Sequence, residues 1–129
     1  MSNIPQDLRY TAEHEWIRVE GDVATIGITD FAQAELGDVV FVELPDLESH
    51  FEAAVTFGTV ESVKSVSDLY CPLAGTVVEV NESLEAGPER VNEDPYGDGW
   101  LVRIRLDDAA SAEGLLDAAA YDELVEAAG

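Results

Sequence analysis

The cleanest pattern in the sequence is Trp100-Leu101-Val102-Arg103-Ile104-Arg105-Leu106, in which every second residue is apolar. A period of two puts Trp100, Val102, Ile104 and Leu106 on one face of a strand and both arginines on the other. Similar short runs recur at Glu15 to Val19, Val23 to Ile28, Asp38 to Leu44, Phe57 to Val63, Val66 to Tyr70 and Thr76 to Val80. Turn-forming residues separate most of them. Strands this short bury their apolar faces by packing against one another, so the chain is expected to be mainly β, with helices at the periphery.

The connections follow from local chemistry. Glu20-Gly21-Asp22 reads as a tight turn in which Gly supplies positive φ. Thr29 to Gly37 reads as a short helix, with Asp30 and Gln33 as a capping box, Gly37 as the stop, and Phe31, Ala34 and Leu36 facing the core. Leu47 to Ala54 has no clear period. Pro72 interrupts the chain and Gly75 turns it, while Asn81 to Gly99 is rich in turn residues. Asp107 to Gly114 is a loop or weak helical turn. Asp117 then caps a helix to about Ala127, with Ala120, Tyr121 and Leu124 inward. Residues 1–9 read as a lightly anchored segment. Without a tandem repeat or linker, residues 1–129 are expected to form one domain.

The chain carries 28 acidic residues against six basic ones, a formal charge of −22. That charge argues against nucleic acid or an anionic membrane as partner, since both are polyanions. With 47% hydrophobic residues spread throughout, the chain should still be globular. No apolar run approaches a membrane span, and the N-terminus lacks secretory and transit patterns, which points to a prokaryotic cytoplasm. The acid excess and scarcity of lysine read as adaptation to a salty, halophilic cytoplasm, where repulsion is screened. The single Cys71 beside Pro72 reads as a buried small hydrophobe.

Lys64 is the only lysine; the other cations are Arg9, Arg18, Arg90, Arg103 and Arg105. A primary amine can be deprotonated and acylated, whereas guanidinium stays charged. Glu61 and Asp68 favour the charged amine, so Lys64 suits passive attachment better than Schiff-base catalysis. A solvent-facing lysine on a strand edge is the plain alternative. No Asn-Gly or Asp-Gly marks a turn at Lys64, so periodicity leaves open whether it sits at a hairpin tip. His14, between Glu13 and Glu15, has no second histidine near it, and His50 is distant. Polar surface or cleft packing is the expectation for His14, and no metal site is expected.

Glu61-Ser62-Val63-Lys64-Ser65-Val66-Ser67-Asp68-Leu69-Tyr70 resembles the lipoylation segment of the H protein of the glycine cleavage system. Matches at similar spacing include His14-Glu15-Trp16, Ile28-Thr29-Asp30, Leu36-Gly37-Asp38, Val78-Glu79-Val80-Asn81 and Val91-Asn92-Glu93-Asp94-Pro95-Tyr96-Gly97. The resemblance runs from about Tyr10 to about Tyr121. It implies a barrel-sandwich hybrid of the lipoyl-domain type, with Lys64 at a hairpin tip and amide-linked to lipoic acid.

On this resemblance the protein is a non-catalytic carrier. It shuttles the aminomethyl group of glycine from a pyridoxal-phosphate glycine decarboxylase to a folate-dependent aminomethyltransferase, and dihydrolipoyl dehydrogenase reoxidises the arm. Glu15 and Asp68 would lie near the carried amine in a cleft walled by Ile28 and Leu36. Read from the residues alone, both acids are equally well strand-edge or turn carboxylates. Glu61 resembles the position read by the lipoate-attaching enzyme, and Gly75 the turn glycine opposite the lysine. The family usually has Gly-Glu where Ala54-Val55 stand, Ala at Ser65 and a small non-thiol residue at Cys71. A related alternative is an H-like protein relaying lipoyl groups to other complexes. A biotin carrier, a Schiff-base enzyme and an acidic interaction module fit less well.

Overall fold

The computed structural model describes residues 4–128. Nine strands run β1 (Arg9–Tyr10), β2 (Glu15–Glu20), β3 (Val23–Ile28), β4 (Val39–Glu43), β5 (His50–Phe51), β6 (Thr56–Ser62), β7 (Val66–Tyr70), β8 (Gly75–Val80) and β9 (Val102–Leu106). Helix α1 (Asp30–Leu36) follows β3, α2 (Ser83–Ala86) and α3 (Arg90–Glu93) follow β8, and α4 (Ala118–Ala128) ends the chain. One sheet has the order β1-β2-β3-β9-β8-β5 and the other β4-β6-β7, with all pairings antiparallel. The fold is a barrel-sandwich hybrid of the lipoyl-domain type.

The main core lies between the sheets, where Ile26, Val60, Val77 and Ile104 are buried. A second cluster gathers Leu8, Tyr10, Trp16, Ala118 and Tyr121 under α4. Strand β2 therefore buries both faces: Ile17 joins the main core and Trp16 the second cluster. The Trp16 indole occupies the space over Gly27, its cross-strand partner, and donates to the Pro95 carbonyl at 2.8 Å. Tyr10 and Tyr121 stack with ring centroids 4.6 Å apart.

Several local expectations need correction. Residues 4–9 are tied down rather than lightly anchored: Leu8 is buried and Arg9–Tyr10 pairs with β2. Residues 1–3 lie outside the described part. Thr29, not Asp30, caps α1, because its hydroxyl accepts from the Ala32 amide at 3.2 Å. Asp30 binds the Gln33 side chain instead. Ala34 is exposed, and Ala32 and Leu36 face the core. Gly75 opens β8 rather than turning the chain, and the segment Asn81 to Gly99 contains two single-turn helices.

Other expectations hold. Gly21 has φ of 67° in the β2–β3 turn. The Asp117 carboxylate accepts from the Ala120 amide at the start of α4. Cys71 is buried, its thiol donates to the Leu73 carbonyl, and burial pushes its pKa up to about 11.

The alternation at Trp100 to Leu106 holds only from Val102. Leu101 is fully buried, whereas Trp100 is partly exposed and packs under the Arg103 guanidinium, 4.2 Å from the ring centroid. Leu101→Ala should therefore cost about 2–5 kcal/mol of stability. Urea unfolding of the two proteins measures this directly; a change well below that range would place Leu101 outside the core.

Candidate functional site: a lone lysine beside a cleft

Strands β6 and β7 form a hairpin whose tip is Ser62-Val63-Lys64-Ser65. The Ser62 amide donates to the Ser65 carbonyl at 2.8 Å, and the Ser65 amide donates to the Ser62 hydroxyl at 3.1 Å. That hydroxyl in turn donates to the Ser65 carbonyl. A side-chain-closed turn needs no positive φ, which is why no Asn-Gly or Asp-Gly appears here. The Val63 amide donates to the Asp38 carbonyl, pinning the tip to the start of β4.

Lys64 is exposed on this pinned tip, and its side chain lies across Gly37. A Cβ at position 37 would come 3.4 Å from Lys64 Cε, and Gly37 itself has φ of 80°. Asn92 fastens the end of α1 from below. Its amide group donates to the Gly37 carbonyl at 2.9 Å and to the Gln33 side chain at 3.0 Å, while its carbonyl oxygen accepts from the Val39 amide.

Beside the tip opens a cleft of about 400 Å³. Ile28, Leu36 and Val60 give it apolar walls; Glu15 and Asp68 are its expected carboxylates, and His14, Phe31 and Glu35 also line it. The structure thus brings Glu15, Ile28, Leu36 and Asp68 into one cavity beside Lys64. Glu61 is exposed on β6, paired with Phe41 and Val66. Gly75 stands apart, in the other sheet: a Cβ there would come 2.6 Å from the Arg105 carbonyl, so the glycine permits close approach of β8 and β9.

The two carboxylates differ in kind. Asp68 is exposed on β7. Glu15 is only 2% exposed, accepting from the Tyr70 amide at 2.8 Å and, at 3.5 Å, from the Thr11 hydroxyl. Burial raises its pKa to about 8 and Glu13 adds to the rise, against the lowering effect of the Tyr70 hydrogen bond. A carboxyl in such a place can bind a cation strongly once ionised, because little water competes.

His14 was the residue whose role the sequence left least defined. It adopts φ of 67°, a left-handed conformation costing a β-carbon residue on the order of 1 kcal/mol. Its ring stacks on Phe31 at 4.8 Å and its Nδ1 lies 2.9 Å from the Tyr121 hydroxyl. Neither contact was readable, since Tyr121 is 107 positions away. Elsewhere, His50 meets Asp107 through Nε2 at 2.7 Å and Glu52 through Nδ1 at 3.4 Å. The hydrogen bond to Asp107 raises the His50 pKa, and the ligand atoms of these three exposed side chains all lie within 4.8 Å of one another.

A barrel-sandwich fold that presents one lysine on a hairpin tip defines the lipoyl-domain-like class of carrier proteins. The Glycine cleavage H-protein family model matches residues 8–128. The glycine cleavage system H protein of Bacteroides thetaiotaomicron is 59% identical over 123 residues, covering 95% of this chain and 98% of that one. That of Rubrobacter xylanophilus is 68% identical over 106 residues, covering 82% and 84%. The crystal structure of a glycine cleavage system H protein from Mycobacterium marinum superposes with a TM-score of 0.85 at 41% identity, covering 93% of this chain and 97% of that one. The chain belongs to the glycine cleavage H-protein family.

Glu15 makes a signed prediction. Its pKa is raised from 4.5 to about 8 on folding, so the native state holds the proton more tightly than the unfolded chain. The stabilisation is complete below pH 4.5 and is lost as pH rises through about 8. Glu15→Gln should abolish this contribution, so the variant gains stability relative to the parent between those limits. Parallel thermal melts across this range would show a constant difference if Glu15 were an ordinary solvated carboxylate.

Proposed function

We propose that the whole chain acts as one lipoyl carrier domain of the glycine cleavage system, with lipoic acid amide-linked to Lys64. The observation that carries this reading is the sole lysine of the chain, exposed on a pinned tip beside a cleft with apolar walls and one buried carboxyl. The residues fit the group. Lys64 offers a solvated amine that an attaching enzyme can reach, and Gly37 leaves room for the lysine stem. When bound, the lipoyl dithiolane supplies the sulfur and redox chemistry, as prosthetic groups generally do.

The chain's own residues supply attachment, orientation and shelter. Ser62 and Ser65 hold the tip so that the attachment point is fixed while the arm swings. Ile28, Leu36 and Val60 offer apolar walls against which the arm can pack. Glu15 would pass its proton to the carried amine and face the resulting ammonium as a carboxylate, and Asp68 adds charge from the solvent side. Glu61 is the residue read by the lipoate-attaching enzyme, whereas Gly75 serves by letting β8 approach β9.

The aminomethyl group is collected at a pyridoxal-phosphate glycine decarboxylase and delivered to a folate-dependent aminomethyltransferase. Dihydrolipoyl dehydrogenase then reoxidises the arm. The protein is a carrier and not an enzyme, and it works in the cytoplasm. Among the described residues no helix is long and apolar enough to cross a membrane.

Two experiments test this reading. Intact-mass measurement on protein from its host should show a lipoyl adduct, and Lys64→Arg should remove it and reduce glycine breakdown by the reconstituted system to background. Breakdown persisting in Lys64→Arg would refute the assignment. The acid excess further supports a halophilic host. The melting temperature should rise between dilute buffer and about 1 M KCl, where the Debye length falls to about 3 Å. A flat response would remove the salt argument.

A further inference from the structure

The cleft is braced from behind by a helix that does not line it. Tyr121 of α4 is fully buried, and its hydroxyl lies 2.7 Å from the Thr29 hydroxyl and 2.9 Å from His14 Nδ1. Thr29 is also fully buried and caps α1, accepting from the Ala32 amide at 3.2 Å. These partners belong to different walls. His14 precedes Glu15 in the β1–β2 loop, and its carbonyl accepts from the Thr29 amide at 3.0 Å; α1 carries Phe31, Ala32 and Leu36.

The contacts form one connected chain: the Ala32 amide donates to the Thr29 hydroxyl, which is hydrogen-bonded to the Tyr121 hydroxyl, which is hydrogen-bonded to His14 Nδ1. Where Tyr121 donates to Nδ1, the imidazole is neutral with its proton on Nε2; where Nδ1–H donates, the Tyr121 proton goes to Thr29. Burial, outweighing the pull of Glu13 and Glu35, lowers the His14 pKa. The chain also accounts for the left-handed backbone of His14. Gly would satisfy the turn with less strain but would supply neither the hydrogen-bond partner nor the ring stacked on Phe31.

We propose that Tyr121 and His14 are positioning residues of the cleft: through the Thr29 cap, this buried hydroxyl relay sets where α1 stands relative to the Glu15 loop, and so how long a carried group stays sheltered from water. The shelter part rests on the carrier function proposed above, while the coupling of α4 to α1 stands on the contacts alone. The C-terminal helix becomes a handle on the cleft, without touching the arm.

The test compares the full chain with Tyr121→Phe, which keeps the ring packed under α4 and removes only the hydroxyl, and His14→Asn, which tolerates the left-handed backbone. Thr29→Val and Thr29→Ser respectively remove and retain the relay hydroxyl. Two quantities are read: hydrogen exchange of the Ala32 amide in the unmodified chain, and ammonia release to water from the glycine-loaded carrier without its partner enzymes. Loss of one such hydrogen bond should speed both by about 2- to 12-fold in Tyr121→Phe, His14→Asn and Thr29→Val. Thr29→Ser should behave as the parent.

Unchanged Ala32 exchange in both Tyr121→Phe and His14→Asn overturns the relay. Faster exchange with unchanged ammonia release overturns the positioning role. Should Tyr121→Phe fail to fold, His14→Asn and the Thr29 pair decide. If Lys64→Arg still supports glycine breakdown, the carrier reading falls, and Ala32 exchange alone decides the coupling.

Discussion

One hydrogen bond ties the two sheets together beside the cleft: the Tyr70 amide on β7 donates to the Glu15 carboxyl on β2. Burying a carboxyl is costly unless it is neutral or well partnered. Here the answer is a retained proton plus one backbone donor, with Thr11 at the edge of hydrogen-bonding distance. A carboxyl held in this way is tolerated by the fold while neutral and remains able to ionise. An exposed carboxylate could not do both, because water would hold it ionised throughout.

The lysine tip obeys a complementary logic. Lys64 is exposed, yet the turn that carries it is closed by hydrogen bonds rather than left loose. Closing the turn through the Ser62 hydroxyl and pinning Val63 to Asp38 gives exposure without slack. Gly37 removes the side chain that would lie under Lys64, and Asn92 ties the same residue to β4 through the Val39 amide. The tip, the end of α1 and the start of β4 thus form one rigid block.

How much of this was legible depends on distance along the chain. Strand runs and the caps at Gly37 and Asp117 depend on neighbours a few residues apart, and these were readable. The cleft membership of Glu15, Ile28, Leu36 and Asp68 came from resemblance, and the geometry gathers the same residues. What pattern could not supply was burial. Glu15 lies in a strand covered on both faces by α4 and the second sheet, so its side chain faces the core although the alternation around it is ordinary. Trp100 misled for a related reason: the alternation outlasts the strand, and the chain turns its backbone so that Leu101 faces inward. The single-turn helices between Asn81 and Gly99 are too short to show a helical period at all.

The acid content sharpens the distinction between the cleft carboxylates. With 28 acids on the chain, a diffuse negative field surrounds the whole molecule and attracts cations without discrimination. In concentrated salt that field is screened within a few ångströms, and an exposed group such as Asp68 loses most of its pull. Glu15 does not, because protein rather than electrolyte lies around it. A cation contact that keeps its strength in concentrated salt must lie where electrolyte does not reach. The buried position of Glu15 meets that requirement, where additional surface charge would not.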